Sequence, residues 1–248
     1  MMNKLTKFLV DEYEAHRKGG LYHKTQVQLA YNSNRIEGSK LTEEQTRYIF
    51  ETRTIGFKDQ EAVPVDDIIE TANHFVAFDY LLRTVGEPLT EELIKEFHRI
   101  LKTGTADAQK PYFNVGDYKK LANEVGGHET CKPADVEKNM HLLNDWYSSL
   151  SDVTIRDLAE YHWRFESIHP FQDGNGRVGR LLLFRECLRN GIMPFVIDNE
   201  HKLYYYRGLS EFKQTPGFLI GIMQSAQGVY EAWISYFNEE VLEGLKME

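Results

Sequence analysis

The chain predicts an all-α fold with a small β-hairpin flap, and three observations carry that reading. Apolar residues recur three and four positions apart through most of the sequence. Thr, Asp and Pro stand where those stretches begin, and Gly or Asn where they end. One segment, residues 111–133, breaks the rhythm with glycines and short apolar pieces.

Taken in order, residues 22–37 set Val27, Ala30 and Tyr31 on one face, with Leu29 and Ile36 seven apart, and Gly38 suits the left-handed residue that closes a helix. Thr42 and Gln45 form a capping-box pattern that opens a helix to about Glu51. Pro64, with Asp66 and Asp67 behind it, opens another through Leu82. Thr90 caps a helix with Leu93, Ile94, Phe97 and Leu101 on its apolar side, ending around Gly104. The stretch PYFNVGDYKKLANEVGGHETCKP, whose apolar pieces centre on Val115, Tyr118, Leu121 and Val125, predicts the hairpin. Pro133 begins a helix through Leu150, with Val136, Met140, Leu143 and Tyr147 on one face, and the next runs from Thr154 to about Ser167. HPFQDGNGRVGR, residues 169–180, leads into LLLFRECLRNG, where Asn190, Gly191 and Pro194 supply a stop: helix, glycine-rich loop, helix. The expected organisation is an N-terminal helical region (1–60), a core domain (61–220) and a C-terminal helix (221–248) carrying Val229, Trp233, Tyr236 and Phe237.

Bulk properties exclude several functions. A chain of 248 residues, 42% of them hydrophobic, can bury one sizeable core. No apolar run approaches the roughly 18 residues of a membrane span, and MMNKLTKFLVDEYEAH turns acidic too early for a secretory signal, so a soluble, cytoplasmic protein is expected. A net charge of -9 argues against broad affinity for nucleic acid, which rests on cations neutralising phosphates. Cys131 and Cys187 lie far apart without CxxC spacing, which indicates neither a disulfide framework nor a thiolate zinc site.

Chemistry concentrates in HPFQDGNGRVGR. Gly174, Asn175 and Gly176 before a helix leave backbone N–H groups free to face an anion. Arg177 and Arg180, three apart, can reach one polyphosphate together. Asp173 beside phosphate oxygens is a hard ligand for Mg²⁺, and His169 can exchange a proton near neutral pH. Singly each has a plainer reading: a structural histidine, a helix cap, a solvated face. Their gathering within twelve residues favours a site, and the absence of GxxxxGK(S/T) separates it from the P-loop.

This stretch resembles the HxFx(D/E)GNGRxxR signature of Fic (Fido) domain proteins at every defining position, and the likeness extends over about residues 90–220. The resemblance implies a mainly helical Fic fold and a nucleotidyltransferase that moves AMP from ATP to a Ser, Thr or Tyr hydroxyl of a protein, releasing pyrophosphate. It implies that His169 is the general base, that Asp173 holds Mg²⁺, that the backbone of Gly174, Asn175 and Gly176 together with the Asn175 side chain cradles phosphates, that Arg177 and Arg180 grip the β- and γ-phosphates, and that Phe171 anchors the loop. Doc-like relatives, which transfer phosphate, carry lysine near the motif's end and do not match. The segment from Gly116 to Gly127 resembles the family's target-binding flap, with Tyr118, Lys119 and Leu121 as contacts to an added strand, although Lys119 stands where arginine is frequent. NEHKLYYYRGL resembles the YYxxL helix by the adenine and ribose pocket, making Tyr205 and Tyr206 wall residues, with ordinary core aromatics as the other reading. Ser33, Glu37 and Gly38 match (S/T)xxxE(G/N), the motif of the self-inhibited class, in which the glutamate pairs with the second arginine, here Arg180. The implied partners are ATP, a protein substrate that includes the chain itself, and a second copy in a homodimer. Two other readings stay open: removal of AMP by the same site, and a silent nucleotide-sensing domain.

Overall fold

The computed structural model describes residues 3–56 and 62–245. Among them eleven helices follow one another: α1 (Lys4–Glu14), α2 (Leu21–Ile36), α3 (Glu43–Thr52), α4 (Val65–Thr84), α5 (Glu91–Lys102), α6 (Pro133–Ser148), α7 (Ile155–Ile168), α8 (Asn175–Arg189), α9 (Lys202–Ser210), α10 (Gly217–Phe237) and α11 (Glu239–Leu245). The predicted caps are in place. Thr42 and Gln45 bond reciprocally at the start of α3, Thr90 accepts from Leu93 N–H, and Pro133 opens α6. The sequence reading had no helix at α1, which Asn3 caps by accepting from Thr6 N–H at 2.7 Å.

The helix α8 is the axis of the fold. Its residues from Val178 to Leu188 are all buried, so it is enclosed on every side, as a helix with no polar face must be. Three of those residues are charged: Arg180 faces the site, while Arg185 bonds Glu186 and the carbonyl oxygens of Thr84 and Glu87. Around α8 stand α4, α5 and α7, with α1 and α2 beside them, and Tyr230 of α10 sets its ring edge-on to Phe184.

One core cluster runs from Leu5 and Leu29 through Phe97 and Phe184 to Met223 and Ile234. The three expected segments therefore share a single core. The boundary expected after residue 220 falls inside α10, and the one at residue 60 lies outside the described residues, as does the end of the expected C-terminal helix at 246–248. That expected helix is instead α10 and α11, parted at Asn238, whose backbone is extended (φ -164°, ψ 94°).

The flap is smaller than predicted. Strands β1 (Glu124–Val125) and β2 (His128–Glu129) pair antiparallel across Gly126 and Gly127, whose positive φ values of 57° and 79° match a type I′ turn. No described helix is long and apolar enough to cross a membrane.

Candidate active site

At the end of α7, His169 takes a left-handed conformation (φ 51°) that stops the helix, and Pro170 prevents its resumption. Phe171 then turns inward and is fully buried, its ring stacked on His98 with centroids 4.0 Å apart and planes within 3°. The other edge of His98 is fixed too, because its Nδ1 accepts from the N–H of Gly116 at 2.9 Å. Gly116 has φ 77°, and a side chain there would meet Arg99 Cβ at 2.9 Å, so glycine is required. The base of the flap and the loop are thus locked to one residue of α5.

Asn175 corrects an expectation. Its Oδ1 accepts from Phe171 N–H at 2.8 Å and its Nδ2 donates to Phe171 O at 2.9 Å, within a buried loop. Both ends of the side chain staple the loop to itself, so only the backbone of Asn175 remains for a phosphate. Gly174 is the left-handed N-cap of α8, and the first amides of that helix lack intrahelical acceptors, which makes the turn an anion-binding surface.

A cavity of about 870 Å³ opens beside this turn, lined by Glu37, Glu166, His169, Gly176, Arg180, Tyr205 and Tyr206 among others, with β1 and β2 at its outer rim. Two of the three nitrogens of the Arg180 head are held by the end of α2. Its Nε donates to Ser33 Oγ at 3.0 Å, and its Nη2 donates to Ser33 O at 2.9 Å and to Glu37 Oε1 at 2.6 Å. Glu37 is the residue after the last turn of α2. Gly38 donates to Arg35 O and Ser39 to Asn34 O, the Schellman pattern, with Gly38 at φ 100°. A side chain at Gly176 would run into the Glu37 carboxylate.

The charges around the site are set by burial and close partners. Burial, and then the ammonium of Lys119, push His169 down to about 4 from 6.5, so the imidazole is neutral at physiological pH. Burial would raise Asp173, but Arg177 and Lys102 outweigh it and hold the carboxyl well below its ordinary range. Glu166, one turn before His169, is pushed up to about 8 by burial. Among the described residues no three His, Cys, Asp or Glu side chains gather into a metal-binding group. The donor set is a single carboxylate, Asp173, about half exposed beside free amides. That set fits Mg²⁺, which is commonly held by one or two carboxylates and completed by phosphate oxygens and water.

Residues 88–186 match the Fic/DOC family. A protein adenylyltransferase Fic of Nematostella vectensis is 33% identical over 191 residues, covering 73% of this chain and 42% of that relative. The corresponding protein of Drosophila willistoni is 32% identical over 191 residues, covering 72% and 35%. A crystal structure of a Fic domain containing signaling protein from Bacteroides thetaiotaomicron superposes with a TM-score of 0.69 at 25% identity, over 97% of this chain and 94% of that one. The chain carries a Fic/DOC domain. It spans less than half the length of these two curated relatives.

With the Fic fold in place, the predicted site residues divide. His169, Gly176, Arg180, Tyr205, Tyr206 and Glu37 meet at one cavity, while Asp173 and Arg177 pair with each other outside its lining. Tyr205 is buried, with its hydroxyl 2.7 Å from His162 Nε2 and its ring 5.9 Å from the guanidinium carbon of Arg180. Tyr206 donates to Ile36 O at 3.0 Å, which ties α9 to the last turn of α2. In the flap, Tyr118 and Lys119 are buried and do not face a target strand. Tyr118 donates to Glu91, while Lys119 Nζ bonds Asn123, Thr130 and Ile168 O, and its N–H reaches Pro170 O at 2.9 Å. Both anchor the Fic flap to the loop, and Leu121 alone of the three is exposed. Four residues escaped the sequence reading: Glu70, His98, Lys102 and Glu166. Only register hinted at them, since His98 and Lys102 share the α5 face that Ile94 and Leu101 bury.

Proposed function

We propose that this Fic chain is a self-inhibited protein adenylyltransferase, moving AMP from ATP to a Ser, Thr or Tyr hydroxyl of a protein. The observation that carries the reading is the capture of Arg180 by Ser33 and Glu37 in the same cavity as the neutral His169. In the reaction His169 takes the proton of the attacking hydroxyl as its oxygen bonds to the α-phosphorus, and the bond to the β-phosphate breaks to release pyrophosphate. The α8 amides and Arg180 align and neutralise the triphosphate. Asp173 holds Mg²⁺, which when bound neutralises phosphate charge.

Glu37 restrains this chemistry by occupying the guanidinium that a terminal phosphate needs. A charge-assisted hydrogen bond contributes about 1.5–3 kcal/mol, and about 1.4 kcal/mol is tenfold in an equilibrium. Glu37→Gly is therefore expected to raise label transfer from α-labelled ATP to protein by roughly tenfold or more. Adding His169→Ala to that variant should abolish transfer while nucleotide binding persists. No gain in Glu37→Gly at saturating Mg²⁺ and ATP would sink the proposal.

A further inference from the structure

Behind the loop, four charged side chains close a ring that the Fic signature only half contains. Glu70, from α4, binds Lys102 Nζ through Oε1 at 2.6 Å and Arg177 Nη1 through Oε2. Lys102 and Arg177 then converge on one oxygen of the loop carboxylate, Asp173 Oδ2, at 2.6 and 3.0 Å. Lys102 and Arg177 are buried, so water screens their charges little. A fifth group, Asp107, sits at the edge of the ring, 3.4 Å from Lys102 Nζ and shared with Lys110.

The arrangement has an electrostatic consequence. Asp173 already serves two cations, and a metal drawn to the same carboxylate meets their repulsion. Glu70 is the counter-charge that offsets one of them from behind. Arg177, with both terminal nitrogens bound to carboxylates, is a strut between Glu70 and Asp173 rather than a free hand for phosphate.

We infer that Glu70 and Lys102 are opposed positioning residues that, acting through Arg177 and Asp173, set how tightly the loop takes a divalent metal with nucleotide. Glu70 strengthens that binding and Lys102 weakens it. The inference rests on the adenylyltransferase reading for the identity of the ligand, but not for the ring.

The test uses the Glu37→Gly chain as parent and Mn²⁺ as probe, with an ATP analogue whose α–β bridge is a methylene so that no transfer occurs. Bound Mn²⁺ is read from loss of the free-ion electron paramagnetic resonance signal. One unit charge a few ångströms away in a poorly screened site changes affinity by about tenfold or more. Glu70→Gln should weaken Mn²⁺ binding by roughly that factor, and Lys102→Met should tighten it. The double variant, with both charges gone, should return to within about threefold of the parent, since the two effects cancel. A merely structural ring would lower the melting temperature of each single variant and leave Mn²⁺ affinity unmoved, or weaken it in both. Either result overturns the inference, as does a double variant that adds two losses. Should Lys102→Met fail to fold, Lys102→Gln makes the same charge change and is held to the same sign. A parent that binds no metal nucleotide overturns the adenylyltransferase reading and this one together. A parent that binds while the variants match it overturns this one alone.

Discussion

At the scale of single residues, His169 owes its low proton affinity first to burial and then to Lys119. Burial and that ammonium lower it to about 4, so the neutral form persists above that value and is lost as pH falls through it. Taking away the cation must raise the affinity. In the Glu37→Gly background, Lys119→Gln should therefore move the acid limb of kcat/KM to higher pH, while the amide keeps part of the hydrogen bonding to Asn123 and Thr130. A limb that stays in place would remove Lys119 from the account. How legible was this in the sequence? The loop was spelled out, because histidine, aspartate, glycine and arginine in that spacing have few other uses together. Asn175 was not, since an amide beside glycines suits a phosphate and a loop staple equally and composition carries no direction. Tyr118 and Lys119 failed for the same reason: residue type gave their segment, and only packing shows which way each side chain turns.

At the scale of elements, α2 and α9 are fastened together at the site. Tyr206 bonds Ile36 O, one residue before Glu37, and a turn or so earlier Asn32 Oδ1 accepts at 2.9 Å from the N–H of Asn199, three residues ahead of α9. An ordinary hydrogen bond contributes about 1 kcal/mol, so losing the Tyr206 hydroxyl should free Glu37 severalfold more often. Tyr206→Phe is expected to raise transfer by about three- to fivefold in the natural chain and to add nothing once Glu37 is glycine. Slower transfer in both backgrounds would mean that the hydroxyl serves the nucleotide instead. Helices α3, α5 and α7 were readable because each begins on a capping threonine, and α6 because proline opens it. By contrast α1 buries only Leu5, Thr6, Leu9 and Glu12, two of which are polar, too thin a stripe to register as a helix. The expected onset of α10, at residue 221, is late because its aromatic residues crowd the second half, while Pro216 immediately precedes the true start at Gly217.

At the scale of the whole molecule, buried histidines dominate the response to acid. His74, His98 and His162 are held down to about 3, and His169 to about 4, chiefly by burial. Unfolded, each takes a proton below about 6.5, so their contribution is complete above 6.5 and is lost as pH falls toward the folded values. Glu166 acts oppositely: raised to about 8 in the fold, it contributes fully below its ordinary 4.5 and less as pH climbs to 8. Asp79, also raised by burial, leans the same way as Glu166. Four groups against two leave stability rising from pH 4.5 to 6.5, then declining gently. Urea midpoints measured from pH 4.5 to 8.5 should peak near 6.5 and fall more steeply on the acid side; a monotonic rise to 8.5 would contradict the balance. The place of Glu37 in this molecule has one more consequence. It hangs from the terminal turn of α2, outside the core that runs from Leu5 to Ile234, and a terminal turn opens by fraying at a small fraction of the free energy of global unfolding. How often the site comes free and how long the protein lasts are therefore separate quantities, so a sequence can drift toward a leakier or a quieter form by altering a single helix end while its durability stays the same.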